Sequence, residues 1–288
     1  MITDLAQAGF TVVDLPQGRL AYRAAGPADS PYPPVVFVHG ILVDARLWEP
    51  VAERLAARGV RSYAPTLPLG AHQLPMNAGA DLSPAGMAQL VRDFTAALGL
   101  SGVTIVGNDT GGAICQLILG GDTTRVGAAV LTNGDAFGKF PPRALAPLFR
   151  ALRHPGLVAC LVPGMRSAAV RHGPLAYGLL SSGALDRQLT RDWVEALASK
   201  AVRHDLATFA AGVRRGVLLD AASRFSQFPG PVGILWGDGD PFFPAELGRQ
   251  LSEAFPRGSL TTVPGGRTFL SLDHPDEVAS EILRIQRV

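Results

Sequence analysis

The stretch that most constrains the fold is VTIVGNDTGGAICQLIL, in which an apolar run enters a glycine-rich turn and a second apolar run leaves it. The first run is typical of a buried strand and the second of a helix. Between them, Gly107, Asp109 and Gly111 form the pattern G-x-D-x-G. Glycines two positions to either side of a central residue allow the backbone to turn sharply. The stretch therefore predicts a strand, a tight turn and a helix, with Asp109 at the tip of the turn.

Asp109 has two interpretations, and the turn by itself leaves both open. An aspartate directly before a helix is a common N-cap, whose carboxylate accepts hydrogen bonds from the first free amides of the helix. On a strained strand-to-helix elbow, the central side chain is instead held out at the carboxyl end of the sheet, where open α/β sheets bind ligands. The N–H group of the next residue, Thr110, can then stabilise a developing oxyanion.

Strand and helix patterns alternate along most of the chain. FTVVDL and GRLAYRAAG predict an antiparallel pair of strands, and PPVVFVHG, VRSYAP, VTIVGN, VGAAVLTN, PVGILWG and SLTTVPG predict six more. Helical patterns separate the later strands, and one of them begins with Ser83 and Pro84, residue types typical of an N-cap and a first helical position. The alternation predicts an α/β fold with a mainly parallel central sheet and helices on both faces.

Residues 137–215 interrupt this alternation with short helical patterns, repeated prolines and no strand pattern. The segment holds 12 Lys and Arg against 4 Asp and Glu, whereas the rest of the chain holds 14 against 20. We predict a core domain formed by residues 1–136 and 216–288 and a helical lid formed by residues 137–215. The positive charge of this lid is either an ordinary solvated surface or an attraction for an anionic or phenolate-like ligand.

Two distant motifs favour a catalytic elbow. VVFVHG places His39 and Gly40 at the end of an apolar strand, so that the N–H group of Ile41 can be a second oxyanion donor. ILWGDGDPFFP places Asp240 just after another strand, where a carboxylate can orient a catalytic base. With these motifs, the strand order and the lid, the chain resembles the α/β-hydrolase superfamily over nearly its whole length. With an aspartate at the elbow, it is most similar to the haloalkane dehalogenase and epoxide hydrolase branch.

This resemblance implies that the elbow aspartate attacks carbon to form an ester, which a water activated by a C-terminal histidine then cleaves. The corresponding stretch here is VPGGRTF, with Thr268 where the histidine is expected. Threonine takes up no proton near neutral pH, so it cannot be that base. His274, which precedes Pro275, is either a relocated base or a surface residue at the start of a helix. Thr110 also stands where dehalogenases usually have a halide-binding tryptophan.

Three functions remain open at this stage. The first is a non-hydrolytic enzyme with Asp109 as general acid or base and backbone oxyanion donors, acting on a small, largely apolar carbonyl or phenolic compound such as a secondary metabolite. Its reaction would be C–C bond formation or cleavage, cyclisation or proton transfer. The second is a hydrolase of the dehalogenase, epoxide-hydrolase or esterase type, with Asp109 as nucleophile and a relocated base. The third is a catalytically dead protein that binds a ligand.

The lid and its surroundings predict a mostly apolar pocket. The candidate catalytic residues are Asp109, Asp240 as an orienting or supporting acid, and His274, while Asp135 is either a second carboxylate site or a turn residue. The backbone donors are those of Ile41 and Thr110. The candidate substrate-binding residues are His39, Trp48, Asn108, Tyr177 and Trp193.

Composition and motif content predict which partners, cellular location and cofactors to expect. The net charge of +2 predicts no affinity for nucleic acid or an anionic membrane, and the absence of a signal-peptide pattern predicts a cytoplasmic protein. Cys115 and Cys160 lie in apolar sequence and predict two buried thiols. No residue cluster has metal-ligand spacing and no dinucleotide motif is present, so we expect a small-molecule substrate with no metal and no cofactor. Nothing in the sequence indicates the oligomeric state.

Overall fold

The computed structural model describes residues 5–174, 176–214 and 216–287. Its strands are β1 (Thr11–Leu15), β2 (Gly18–Ala25), β3 (Val35–Val38), β4 (Ser62–Pro65), β5 (Val103–Gly107), β6 (Val126–Thr132), β7 (Val232–Gly237) and β8 (Gly258–Val263). They form one eight-stranded sheet in the order β1-β2-β4-β3-β5-β6-β7-β8. Strand β2 pairs antiparallel with β1 and β4, and the other neighbours are parallel. The predicted N-terminal hairpin and mainly parallel sheet are confirmed.

Helices cover both faces of this sheet, as predicted. They are α1 (Glu49–Ala57), α2 (Pro84–Ala97), α3 (Thr110–Leu119), α4 (Ala146–Leu152), α5 (Pro155–Met165), α6 (Ala168–Arg171), α7 (Arg187–Glu195), α8 (Lys200–Gly212), α9 (Val217–Ala222), α10 (Ala245–Glu253), α11 (Leu270–Asp273) and α12 (Pro275–Gln286). Ser83 is the N-cap of α2, and its hydroxyl accepts a hydrogen bond from the N–H group of Gly86 at 3.2 Å.

The central strands are buried on both faces, which explains their uninterrupted apolar sequence. In β3, Val36 and Val38 pack in the cluster that includes residues of α2 and α3, whereas Val35 and Phe37 pack in the cluster that includes α1 and α12. Because side chains alternate between the two faces of a strand, one four-residue strand contributes to both halves of the core. This packing fixes the carboxyl ends of β3, β5 and β7, where the candidate site residues lie.

The chain between β6 and β7 is helical in its described residues, and a buried arginine organises part of it. Arg171 is 2% exposed, and its guanidinium donates hydrogen bonds to the hydroxyl of Thr190 and to the carbonyl groups of Met165, Arg166 and Arg187. These acceptors lie on or next to α5 and α7. A buried charge is tolerated when its donors are satisfied, so Arg171 joins the ends of three helices.

Two polar links join this helical segment to the rest of the chain. Arg46, just before α1, donates to Asp44 at 2.8 Å and to Asp192 of α7 at 2.7 Å. His72 Nε2 lies 3.1 Å from the carboxylate of Asp205 in α8. Asp44, His72 and Asp205 are buried. Removing one partner of such a pair leaves an unpaired buried polar group, so these links hold the helices in a defined position.

The prediction of two buried thiols is wrong for one of them. Cys115 is buried in α3, but Cys160 is exposed on α5. The reason is that α5 buries only one face, through Val158 and Val162. No single helix within the described ranges is long and apolar enough to cross a bilayer, although residues Arg143–Leu152 and Pro155–Met165, which are bent by 108°, satisfy that test as a pair.

Candidate active site

The centre of the site is the turn between β5 and α3. Asp109 has φ of 54° and ψ of −130°, a conformation that a residue with a side chain adopts only under strain. Its N–H group donates to the carbonyl of Asn133 at 2.9 Å, and its carbonyl accepts from the N–H group of Gly112 at 3.0 Å. Such strain costs about 1–3 kcal/mol and persists only where the surrounding structure enforces it.

The glycines beside Asp109 allow this turn to pack closely. A Cβ atom on Gly111 would lie 2.0 Å from the carbonyl oxygen of Val38, and one on Gly107 would lie 2.8 Å from the carbonyl oxygen of Gly111. Contacts this short do not occur between real atoms, so both positions require glycine. Gly111 is thus required by the approach of the turn to the end of β3, and Gly107 by its approach to the first turn of α3.

The carboxylate of Asp109 does not act as a helix cap. It makes no side-chain capping hydrogen bond to α3. Instead, the backbone N–H groups of Thr110 and Ile41 lie beside it and favour its ionised form. Its Oδ2 lies directly against Gly40, where an added Cβ would be only 2.2 Å away. The two predicted oxyanion donors therefore lie beside the carboxylate of the elbow residue itself.

Burial of Asp109 sets its protonation. Desolvation is the main reason that its pKa rises from 3.8 to about 7, and the negative charge of Asp240 raises it further. The N–H donors of Thr110 and Ile41 oppose the rise because they stabilise the ionised form. The side chain is half-buried and keeps some contact with solvent. Asp109 therefore exists in both protonation states near neutral pH.

A second carboxyl group lies behind the elbow. Asp135 is 1% exposed, and its Oδ2 accepts a hydrogen bond from the hydroxyl of Thr110 at 3.3 Å. Its Oδ1 is buried and has no hydrogen-bond partner among the described residues. Burial, followed by the charge of Asp109, raises the pKa of Asp135 well above its usual range. Asp135 therefore holds its proton more readily than an exposed aspartate does. Its burial does not fit the interpretation as a surface turn residue.

Asp240 binds the residue that stands at the histidine position. The hydroxyl of Thr268 donates to Asp240 Oδ2 at 2.7 Å. Asp240 Oδ1 accepts from the N–H groups of Phe242 and Phe243 at 2.8 and 3.1 Å. Thr268 is fully buried, and its carbonyl accepts from Asn108 Nδ2 at 2.6 Å. The carboxylate after β7 therefore orients a hydroxyl group, and Asn108 is tied to the same peptide.

Both ring nitrogens of His39 are hydrogen-bonded to the backbone. Its Nε2 accepts from the N–H group of Leu67 at 2.8 Å, so the proton is on Nδ1, which donates to the carbonyl of Gly40 at 2.8 Å. The ring is fully buried, and burial lowers the pKa of His39 to about 4. With both nitrogens bonded inside the protein, His39 has no atom free for the substrate contact that the sequence predicted.

The other histidines make their contacts away from Asp109. His274 precedes α12, and its Nδ1 lies 3.5 Å from Glu277. His72 contacts Asp205, and His172 Nε2 lies 2.8 Å from the hydroxyl of Thr190, whereas the side chains of His154 and His204 are exposed. Within the described ranges, none of these hydrogen bonds or ion pairs joins a histidine to Asp109 or Asp240.

The aromatic residues predicted to bind substrate are packed in the interior. Tyr177 donates its hydroxyl proton to the carbonyl of Leu42 at 2.6 Å and lies edge-on to Trp193, with ring centroids 5.4 Å apart. Trp48 stacks on Phe37 at 4.8 Å. Trp48 and Trp193 are fully buried, and their indole N–H groups have no partner among the described residues. These rings are part of the packed interior and present little surface to a ligand.

Sequence reasoning placed Thr268 at the position of the histidine and Asp240 as the orienting carboxylate, and in the structure these two side chains are hydrogen-bonded. It missed the hydrogen bond from the hydroxyl of Thr110 to Asp135. The available signal for that pair was the position of Asp135 after a buried strand that neighbours β5 in the sheet.

The sheet order, the elbow and the carboxylate after β7 together define an α/β-hydrolase fold. A model of the alpha/beta hydrolase family matches residues 35–281, and the chain therefore belongs to this family. A comparison with curated protein sequences gives no significant match.

Solved structures with the same fold include enzymes of two kinds. An α/β-hydrolase-fold protein from Burkholderia ambifaria is 23% identical, with a TM-score of 0.77 and coverage of 99% of both chains. A haloalkane dehalogenase from Bradyrhizobium elkani is 16% identical, with a TM-score of 0.77 and coverage of 96% of this chain and 98% of its own. A carboxylesterase from Bacillus subtilis is 18% identical, with a TM-score of 0.74 and coverage of 96% and 90%. At sequence identities this low, the similarity shows only that the fold is shared.

Proposed function

We propose that this protein is an enzyme that uses Asp109 as a general acid or base on a small, largely apolar carbonyl or phenolic compound, without hydrolysis. The observation that carries the proposal is the state of Asp109. It is a half-buried carboxyl group at the carboxyl end of the sheet, with a pKa of about 7. A group whose pKa lies near the working pH is present in both forms and transfers protons efficiently.

The neighbours of Asp109 support proton transfer. The N–H groups of Thr110 and Ile41 lie beside the carboxylate and favour its ionised form. The ionised carboxylate accepts a proton from a C–H or O–H group of the substrate, becomes neutral, and returns the proton to the product. Behind Thr110, burial and the charge of Asp109 raise the pKa of Asp135, which favours its neutral form beside an ionised Asp109.

The partner of Asp240 argues against a hydrolytic cycle through an ester. Such a cycle needs a base that takes a proton from water near the ester. The residue at the expected position is Thr268, whose hydroxyl proton is already donated to Asp240. An ester formed on Asp109 would have no group at this position to activate water. The proposal therefore keeps the elbow carboxylate and leaves out the covalent step.

Isotope labelling tests the absence of an ester intermediate. We expect no heavy oxygen in the peptide that contains Asp109 after the protein has been incubated in ¹⁸O water with panels of small ketones, phenols, nitrophenyl esters, haloalkanes and epoxides. Hydrolysis of an aspartyl ester at its carbonyl carbon would transfer one water oxygen to the carboxylate. Mass spectrometry of the digested protein measures the label, with protein kept in ¹⁸O water alone as the control. Label in that peptide after several turnovers would show that Asp109 is a nucleophile.

The pH profile tests the role of Asp109 as a base. We expect the exchange of α-protons of small apolar ketones in deuterated water to rise with pH, with a midpoint near 7, because only the ionised carboxylate accepts a proton. Proton NMR follows the loss of the α-proton signals between pH 5 and 9. Asp109→Asn should exchange no faster than buffer, whereas the exposed loop variant Asp29→Asn should match the original protein. Enzyme-dependent exchange that survives in Asp109→Asn would refute the proposal.

A further inference from the structure

The positive charge of the helical segment is concentrated in its first part. Between Asp135 and Asp186 the chain has no acidic residue, but it has one lysine and five arginines. One of these arginines, Arg171, is buried, and the side chains of Arg143, Arg150 and Arg153 are exposed. The net charge of +2 hides this separation, because the acidic residues lie elsewhere along the chain.

Helix α5 presents an apolar face to solvent in the middle of this basic region. Leu157 and Leu161 are 47% and 50% exposed, and Cys160 and Gly164 are exposed as well. Their spacing of three, four and seven residues from Leu157 places all four on one side of the helix. We call these four residues the α5 face. Val170 follows shortly after and is 51% exposed.

Cations flank the α5 face at both ends. Arg150 is exposed on the preceding helix α4. Arg153 lies two residues before α5, and its guanidinium donates to the carbonyl groups of Ala210 and Val213 at 3.2 and 3.4 Å. Arg166 follows the last residue of α5; its side chain is 50% exposed, and Glu195 pairs with it at 3.0 Å. Apart from that pair, no carboxylate is recorded in contact with these three arginines among the described residues. An apolar patch with a basic border is the pattern of a helix that binds at the surface of an anionic bilayer.

We propose that the α5 face docks on an anionic lipid surface, with the leucines in the interfacial region and the arginines at the lipid phosphates. A second copy of this chain fits the surface poorly, because a symmetric contact would bring arginine against arginine. Nucleic acid would use the charges but not the half-exposed leucines. Helix α5 has 11 residues, about 16 Å of helix, so it lies on a bilayer and does not cross it. The proposal does not depend on the chemistry of Asp109.

The single exposed cysteine provides a probe at the centre of the α5 face. Cys160 is exposed and Cys115 is buried, so a thiol-reactive, environment-sensitive fluorophore attaches at Cys160. We expect its emission to shift to shorter wavelength with vesicles that contain anionic phosphatidylglycerol and to stay unchanged with vesicles of phosphatidylcholine alone. Flotation of the unlabelled full chain with the same vesicles measures binding without the fluorophore. Raising the salt from low to high concentration should weaken binding, because the attraction of the arginines is screened.

Substitutions separate the contributions of the leucines and the arginines. Leu161→Asp should reduce binding to anionic vesicles by about tenfold or more, because a charged side chain replaces the apolar anchor. Arg150→Gln should reduce it by about fivefold, which corresponds to about 1 kcal/mol for one cation near an anionic surface. Leu219→Asp on α9 is the matched control, since Leu219 is also 50% exposed on a helix, and it should bind like the original protein.

Several results would overturn the proposal. The first is the absence of binding to anionic vesicles at low salt. The second is binding that Leu161→Asp and Leu219→Asp weaken equally, which would remove the α5 face as the docking site. The third is a concentration-dependent dimer in sedimentation that Leu161→Asp dissolves, which would make a second copy the occupant of this face. Circular dichroism of each variant shows whether it is folded, and Leu157→Gln repeats the test with a milder change.

Discussion

Replacement of Asp109 by asparagine should stabilise the fold above pH 7 while it abolishes the proposed proton transfer. Burial raises the pKa of Asp109 from 3.8 to about 7, so the folded protein binds this proton more tightly than the unfolded chain does. Ionisation of Asp109 therefore destabilises the fold, and this loss of stability grows as the pH rises from about 4 through 7. A pKa difference of that size corresponds to about 4 kcal/mol when the group is fully ionised.

Asparagine keeps the shape of the side chain and removes its charge. Its amide oxygen can still accept from the N–H groups of Thr110 and Ile41, so the elbow needs no rearrangement. We expect the free energy of unfolding of Asp109→Asn to exceed that of the original protein by about 2–4 kcal/mol at pH 8, and to equal it within about 1 kcal/mol at pH 4.

Urea unfolding followed by circular dichroism at pH 4, 6 and 8 measures this difference. The exposed variant Asp29→Asn controls for a general effect of removing one negative charge, and it should follow the original protein at each pH. A gain of the same size at pH 4 and pH 8 would show that the effect does not come from ionisation of Asp109. A loss of stability at pH 8 would show that the ionised carboxylate is favoured by its surroundings.

The adjacent glycines of the elbow should respond in opposite ways to the same substitution. In Gly111→Ala, the new Cβ would lie 2.0 Å from the carbonyl oxygen of Val38, and 2.6 and 2.7 Å from the Val38 carbonyl carbon and the His39 carbonyl oxygen. These are backbone atoms at the end of a buried strand and cannot move aside without displacing β3. We expect a loss of at least about 4 kcal/mol, which is enough to unfold many domains of this size.

Gly112→Ala is the matched control. Its new Cβ would meet no atom closer than 3.8 Å, an ordinary contact distance. Because alanine is favoured over glycine in a helix by about 1 kcal/mol, this variant should be as stable as the original protein or slightly more stable. Thermal unfolding and the yield of folded protein compare the two. If Gly111→Ala were as stable as Gly112→Ala, the close approach of the elbow to β3 would not hold the turn.

Local sequence patterns predicted the elements whose structure is determined by residues close together in the chain. The elbow was predictable because glycine spacing and an apolar strand and helix specify a sharp turn within 17 residues of sequence. The N-terminal hairpin, the start of α2 at Ser83 and the mainly parallel sheet follow from patterns of the same kind. The fold of the core could therefore be argued from the sequence before any contact was known.

The candidate site depends on contacts between distant residues, which the sequence does not encode locally. Thr268 meets Asp240 across 28 positions, and Arg46 meets Asp192 across 146. Whether the N–H groups of Ile41 and Thr110 face a substrate or the carboxylate of Asp109 also depends on the position of that carboxylate in the folded structure. Residue type suggested that Tyr177 and Trp193 contact substrate, yet their rings pack against each other because large apolar surfaces favour burial.

The carboxylate at the elbow has a consequence for inhibitor chemistry. Boronic acids and phosphonates block serine-type enzymes because they place a tetrahedral oxyanion on a pair of free backbone donors. In this protein the corresponding donors, the N–H groups of Ile41 and Thr110, lie beside the carboxylate of Asp109 and favour its ionised form. An oxyanion placed at the same donors would meet the negative charge of that carboxylate. We therefore expect compounds of that design to bind poorly, and compounds that donate a hydrogen bond to Asp109, such as a neutral amide or an amidine, to bind better.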